Sequence, residues 1–186
     1  TQVGIKSINS ENEGISWYNE RSKNKIICQL KKYSNNYLRI KIIPNKEFFN
    51  INSDIKYLLK KRYFDLTINH YIKIWHDYRG QEYAPLHGDL SLVGNVMFNS
   101  KDEVLFVDWE QFEKNREIPT GLDPMMMLLE NIWYEIVRSK RIEAEVLKHF
   151  VNSIYTLNKA RLLSPLLLVN PAKNILNFIM SNTDIW

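Results

Sequence analysis

The chain has 186 residues, 45% of them hydrophobic, with a formal net charge of +4 and a pI near 9.0. That composition is too apolar for a disordered chain, and the length suits one compact domain or two small lobes sharing an interface. The mild basic excess fits an anionic ligand such as a nucleotide and fits a plain solvated surface equally well. Lys60-Lys61-Arg62, the only tight basic triplet, reads as a solvated helix end rather than a nucleic-acid site. Cys28 is the single cysteine, which excludes an intramolecular disulfide and favours a reducing compartment. Within the apolar run KIICQL it reads as a buried structural thiol. No stretch reaches the roughly 20 apolar residues of a membrane span, and TQVGIKSINS has neither the charged start nor the apolar core of a signal peptide. The expected location is cytoplasmic. The chain opens on Thr1 rather than Met, which implies processing or a start other than that of the gene.

In chain order, Asn9 or Ser10 is expected to cap a helix through EGISWYNERS, with Glu11 and Glu13 in its first turn. KIICQLKKYS and NYLRIKIIP are β-rich runs around a hairpin-like break at Ser34-Asn35-Asn36, and Pro44 ends the second. IKYLLKKRYF and LTINHYIKIWHDY both show helical spacing, with Gly80 closing the second. LHGDLSLVGN is a loop, NVMF and VLFVDW are short strands, and Asn99 to Asp102 turns the chain between them. The rest is helical: DPMMMLLENIWYEIV, RIEAEVLKHFVNSIYTLN and an amphipathic stretch from Ala172 to Met180. Met125, Met126 and Met127 read as core packing, and His70, His76 and His149 as partly buried or surface histidines.

The chemistry concentrates in residues 86–110. Asp89, beside Gly88, can accept or orient the proton of a substrate hydroxyl. Asn95 and Asp108 offer a neutral and an anionic hard oxygen, a suitable pair for Mg²⁺, and His87 is placed to brace the loop. A carboxylate base, an Asn and a strand-borne Asp are the parts that phosphoryl transfer in protein kinases uses.

His87-Gly88-Asp89-Leu90, Asn95 and Asp108-Trp109-Glu110 together resemble the phosphotransferase family of aminoglycoside and choline kinases. The resemblance implies an α+β, protein-kinase-like bilobal fold. Residues 1–50 would form a reduced, β-containing N-lobe, and 51–186 a mainly helical C-lobe carrying the catalytic loop 86–95 and the metal-binding hairpin 96–110. It implies an ATP- and Mg²⁺-dependent kinase acting on a small-molecule hydroxyl, with Asp89 as base supported by His87. Asp108 would be the main Mg²⁺ ligand, joined by Asn95 and with Glu110 supporting the metal or its water shell. Asp123, in GLDP, matches a downstream Asp expected to be structural. Upstream, VGIK resembles the end of the strand carrying the phosphate-binding lysine, here Lys6. EGISWYNERS resembles the helix whose Glu, here Glu13, pairs with that lysine. The backbone of Lys41, Ile42 and Ile43 would meet adenine.

Two departures from the family pattern stand out. Five residues separate Asp89 from Asn95 where the family usually has four, and a bulge at Val93-Gly94 would absorb the extra one. Too few residues precede Lys6 to form the phosphate-covering strand pair. These departures motivate a second reading, a catalytically impaired kinase-fold binding or interaction module. The near balance of acidic and basic residues after Gly121 argues against a polycationic substrate, and a sugar or amino-alcohol hydroxyl is the preferred acceptor.

Overall fold

The computed structural model describes residues 2–34, 37–43, 47–52, 56–114, 117–140 and 142–168. The fold is α+β. Helix α1 (Gln2–Arg21) leads into an antiparallel hairpin of β1 (Ile27–Ser34) and β2 (Tyr37–Ile43). Helix α2 (Tyr57–Ile74) follows, then a second antiparallel hairpin of β3 (Val96–Phe98) and β4 (Val104–Phe106). Helices α3 (Leu122–Ser139), α4 (Ala144–Lys159) and the short α5 (Pro165–Leu168) complete the described chain. No described helix is long and apolar enough to cross a membrane. The amphipathic stretch expected at Ala172 to Met180 lies outside the described residues, as do Asn35, Asn36 and Pro44, and so does the side chain of Cys28.

Helix α1 begins well before its expected start, so Asn9 and Ser10 lie inside it and cap nothing. Its buried residues Glu11, Gly14, Ile15 and Tyr18 fall at spacings of three and four, the repeat that turns one face inward, with buried Trp17 at the edge of that face. Glu13 lies on the opposite, exposed side. The inward face meets the segment after β4 at very short range. A Cβ added at Gly14 would stand 2.6 Å from the Cβ of Trp109 and 2.9 Å from that of Phe112. Glycine in mid-helix costs about 1 kcal/mol relative to alanine, and here it permits that approach.

Aromatic rings fill the junction. Trp17 lies 4.8 Å from Trp75 and Tyr18 lies 5.2 Å from Trp109, while Tyr71 stacks on Trp75 at 4.2 Å. Each buried ring of this size contributes a large apolar area, and most of their polar atoms are paired. Trp75 Nε1 donates to Pro85 O, Trp109 Nε1 donates to Phe106 O, and the Tyr18 hydroxyl joins His70 Nε2 at 2.8 Å while accepting the Phe106 N–H. One hydrophobic cluster therefore includes residues from α1, α2, both strands of the second hairpin, α3 and α4.

The two helices expected over residues 55–64 and 66–78 are a single helix, α2. Asp65, the apparent break, sits exposed on it and accepts a hydrogen bond from His149 Nε2. The other ring nitrogen of His149 accepts the Tyr57 hydroxyl at 2.9 Å, so this histidine ties α4 to α2 rather than lying free on a surface. Met125 and Met127 are buried in the core as expected.

Candidate active site

Residues 82–86 pair antiparallel with Glu113 and with residues 118–120, and these pairings position the loop. Leu86 and Glu113 exchange both backbone hydrogen bonds, Ala84 N–H donates to Ile118 O, and Thr120 N–H donates to Glu82 O. At the end of this arm Gly88 adopts φ +95°, and a Cβ there would lie 2.4 Å from Gln111 O, so only glycine fits both the angle and the space. Asp123, in the first turn of α3, reaches up to the loop. Its two carboxylate oxygens accept the backbone N–H groups of His87 at 2.8 Å and Gly88 at 3.1 Å. Burial pushes its carboxyl up to about 7, with those two N–H bonds pulling the other way and the charge of Asp89 adding to the rise.

His87 is completely buried and braces the loop as expected. Its Nε2–H donates to Val107 O at 3.1 Å, which leaves Nδ1 to accept the Asp89 N–H at 3.4 Å. Burial holds the ring down to about 3, so the imidazole is neutral and packs 4.3 Å from Trp109. The Asp89 carboxylate is exposed, and Asn95 closes on it: Asn95 Nδ2 donates to Asp89 O at 2.6 Å and to Asp89 Oδ2 at 3.0 Å. The five-residue interval does not use a glycine bulge, because Gly94 has no positive φ and a Cβ there would meet only ordinary contacts with Ser91. The extra residue goes into a single helical turn instead, with Asn95 N–H donating to Ser91 O.

Asp108 lies just past β4 in the left-handed region, at φ 66°, an uncommon conformation that Asp tolerates better than most residues. Burial and the nearby charge of Asp89 raise its pKa. Asp89, Asn95 and Asp108 thus share one neighbourhood, although Asp108 follows Asp89 by 19 residues: Asn95 bonds Asp89 through its side chain, and its carbonyl accepts the N–H of Val107, the residue before Asp108. Glu110 is exposed in the turn that follows, where its charge acts on Glu11.

The upstream residues do not join this group as expected. Lys6 is in helix rather than at a strand end, its side chain is 74% exposed, and its ammonium lies 3.8 Å from a Glu113 oxygen. Lys6 and Glu13 share one helix two turns apart, about 10 Å along the axis, and the Lys6 ammonium lies near Glu113 instead of Glu13. Lys41, Ile42 and Ile43 lie in β2 opposite Gln29, Cys28 and Ile27, with side chains outside the described residues.

The carboxylate that α1 brings to the site is Glu11. It is 6% exposed, and its Oε1 has no hydrogen-bond partner among the described residues. Burial raises its pKa to about 7, helped by the charges of Asp108 and Glu110 and opposed by a hydrogen bond from the Trp109 backbone. Its signal was present in the sequence, since Glu11 shares a three-and-four spacing with Gly14, Ile15 and Tyr18. That spacing could not assign Glu11 to the buried face while the helix was expected to begin beside it. Glu130 of α3 interacts with Ser91 of the Asp89 loop, and burial raises its pKa while the Ser91 hydrogen bond pulls the other way. No family model matches the chain, and no curated protein matches it.

Proposed function

We propose that this chain is an ATP- and Mg²⁺-dependent phosphotransferase of protein-kinase-like fold that moves the γ-phosphate to the hydroxyl of a small molecule. The observation that carries the reading is the convergence of Asp89, Asn95 and Asp108, with the loop pinned from below by Asp123. Asp89 presents an exposed carboxylate on a braced loop and accepts the proton of the attacking hydroxyl. The hydroxyl oxygen bonds to the γ-phosphorus as the bond to the bridging oxygen of ADP breaks, so ADP leaves with the bonding pair. Holding Asp89 against Asn95 keeps the base in one orientation, which is most of what this chemistry asks of a protein.

The donor set fits a hard divalent cation. Asp108 is anionic, Asn95 spends its NH₂ on Asp89 and keeps its amide oxygen, and Asp89 and Asp108 repel each other without a cation. Among the described residues no three His, Cys, Asp or Glu side chains gather as a metal site. Mg²⁺ does not require one, because it takes one or two protein oxygens and completes its shell with phosphates and water. When bound, the ion neutralises charge on the phosphates. We assign to Glu11 the part expected of Glu13: a buried carboxyl whose ionisation a cationic group brought beside it would favour.

Purified protein with ATP and Mg²⁺ should transfer phosphate to some sugar or amino alcohol. Asp89→Asn should lower that rate by a factor of roughly 10² to 10⁴ while leaving the thermal midpoint within a few degrees. Unchanged turnover in both Asp89→Asn and Asp108→Asn would falsify the assignment. The second reading, a kinase-fold binding module without turnover, draws on the exposed Lys6 and the unpartnered Glu11 oxygen. Mg²⁺-dependent stabilisation by ATP with no transfer to any acceptor would select it.

A further inference from the structure

The connector between β2 and α2 is fastened to the catalytic loop. Phe49 exchanges both backbone hydrogen bonds with Phe98, at 2.7 and 2.9 Å, and so adds an edge to the second hairpin. The next residue, Asn50, is exposed, yet its Nδ2 donates to Gly94 O at 2.7 Å across 44 residues of sequence. Gly94 O belongs to the peptide unit whose N–H is that of Asn95. That N–H donates to Ser91 O, the Asn95 carbonyl accepts the Val107 N–H, and the Asn95 side chain holds Asp89.

We infer that Asn50 is a positioning residue that fixes the Gly94–Asn95 peptide and thereby aims the Asn95 side chain at Asp89 and the metal position. The inference rests on the phosphotransferase reading. Its physical basis is the extra residue between Asp89 and Asn95. That residue is absorbed by one isolated helical turn, and a single turn is only marginally stable because it fixes several dihedrals for one hydrogen bond. Asn50 supplies a second bond from outside the turn. Only a donor does this, since the partner is a carbonyl, and an Asp at position 50 would face Gly94 O with oxygen against oxygen.

The test uses the full chain with Mn²⁺ as the probe, its binding read by paramagnetic resonance at saturating non-hydrolysable ATP. Asn50→Ala should weaken Mn²⁺ binding about 3- to 10-fold, the loss expected for one hydrogen bond. It should leave metal-free nucleotide affinity unchanged and speed amide exchange at Asn95. Wild type that binds Mn²⁺, with Asn95→Ala weakened and Asn50→Ala unchanged, overturns the role of Asn50 alone. A parallel fall in thermal midpoint, nucleotide affinity and Mn²⁺ affinity assigns Asn50 a structural role and also overturns it. Absence of Mn²⁺ binding in wild type with nucleotide present overturns the phosphotransferase reading and this inference with it.

Discussion

Helix α1 and the loop-and-hairpin segment 82–123 both contribute carboxylates to one site, but by opposite routes. The loop segment holds its acidic groups by hydrogen bonds from close at hand: Asp123 takes two backbone N–H groups, and Asp89 takes the Asn95 amide. The helix delivers Glu11 mainly by packing, pressed against Trp109 and Phe112 through Gly14, with one backbone hydrogen bond from Trp109 and one oxygen left unpartnered among the described residues. The loop is therefore pinned by polar bonds, and the position of α1 mostly by ring contacts and one glycine, with the Tyr18 hydroxyl as a polar tie. Stability should depend on different atoms in the two regions.

The largest effect is expected at Asp123. Asp123→Ala strands the N–H groups of His87 and Gly88 in a buried place, and each unsatisfied group costs about 1–3 kcal/mol. Chemical denaturation should show a loss of about 2–5 kcal/mol, together with loss of any phosphotransfer. A loss below about 1 kcal/mol would mean that the loop is not held as described.

Gly14→Ala tests the other side of the comparison. Helix propensity alone would gain about 1 kcal/mol, but the new methyl would lie 2.6 Å from the Trp109 Cβ. Overpacking costs typically about 1–3 kcal/mol, so the variant should be less stable by up to about 2 kcal/mol, with Trp fluorescence reporting the displaced ring. A more stable variant would show that α1 can retreat freely.

These two positions also show what the sequence disclosed. The loop, the second hairpin and Asp123 were legible because their partners lie within a few dozen residues and their residue types have few other uses beside Gly88. The strands β1 and β2 emerged with boundaries within a residue or two, since alternating apolar runs between turn residues have one reading. Helical period fixes a face only relative to other residues, so an early start to α1 left Glu11 and Glu13 indistinguishable. The contacts of Gly14 with Trp109 and of Asn50 with Gly94 join residues distant in sequence, and no local pattern encodes them.

Asp108→Asn separates function from stability. It relieves repulsion with Asp89 and with Glu11, and Asn accepts the left-handed backbone at least as well as Asp. The variant should be as stable as wild type or more stable, by up to about 1 kcal/mol at pH 7.5, and inactive in phosphotransfer. Marked destabilisation would show that the Asp108 charge is held by a stabilising partner.

The finest test sets Glu11 against Glu13 across pH. Glu11 is raised from 4.5 to about 7, so folding takes up a proton between those values, and its contribution is fully present below 4.5 and lost as pH rises through 7. Asp123, raised to about 7, acts with the same sign. His70 and His87, lowered from 6.5 to about 3, act oppositely: their contribution is present above 6.5 and lost as pH falls through 3. Between about 4.5 and 6.5 the two pairs oppose each other, which flattens the wild-type curve; below that window the histidines dominate and stability falls. Glu11→Gln removes one acidic partner from the balance. Its stability relative to wild type should therefore rise with pH from 4.5 to 7, on the order of 1 kcal/mol per pH unit. Glu13→Gln, on the exposed face, should stay within about 0.5 kcal/mol of wild type throughout. Denaturant midpoints at half-unit steps would measure both, and a tilt in Glu13→Gln with none in Glu11→Gln would reverse the facing assigned to α1.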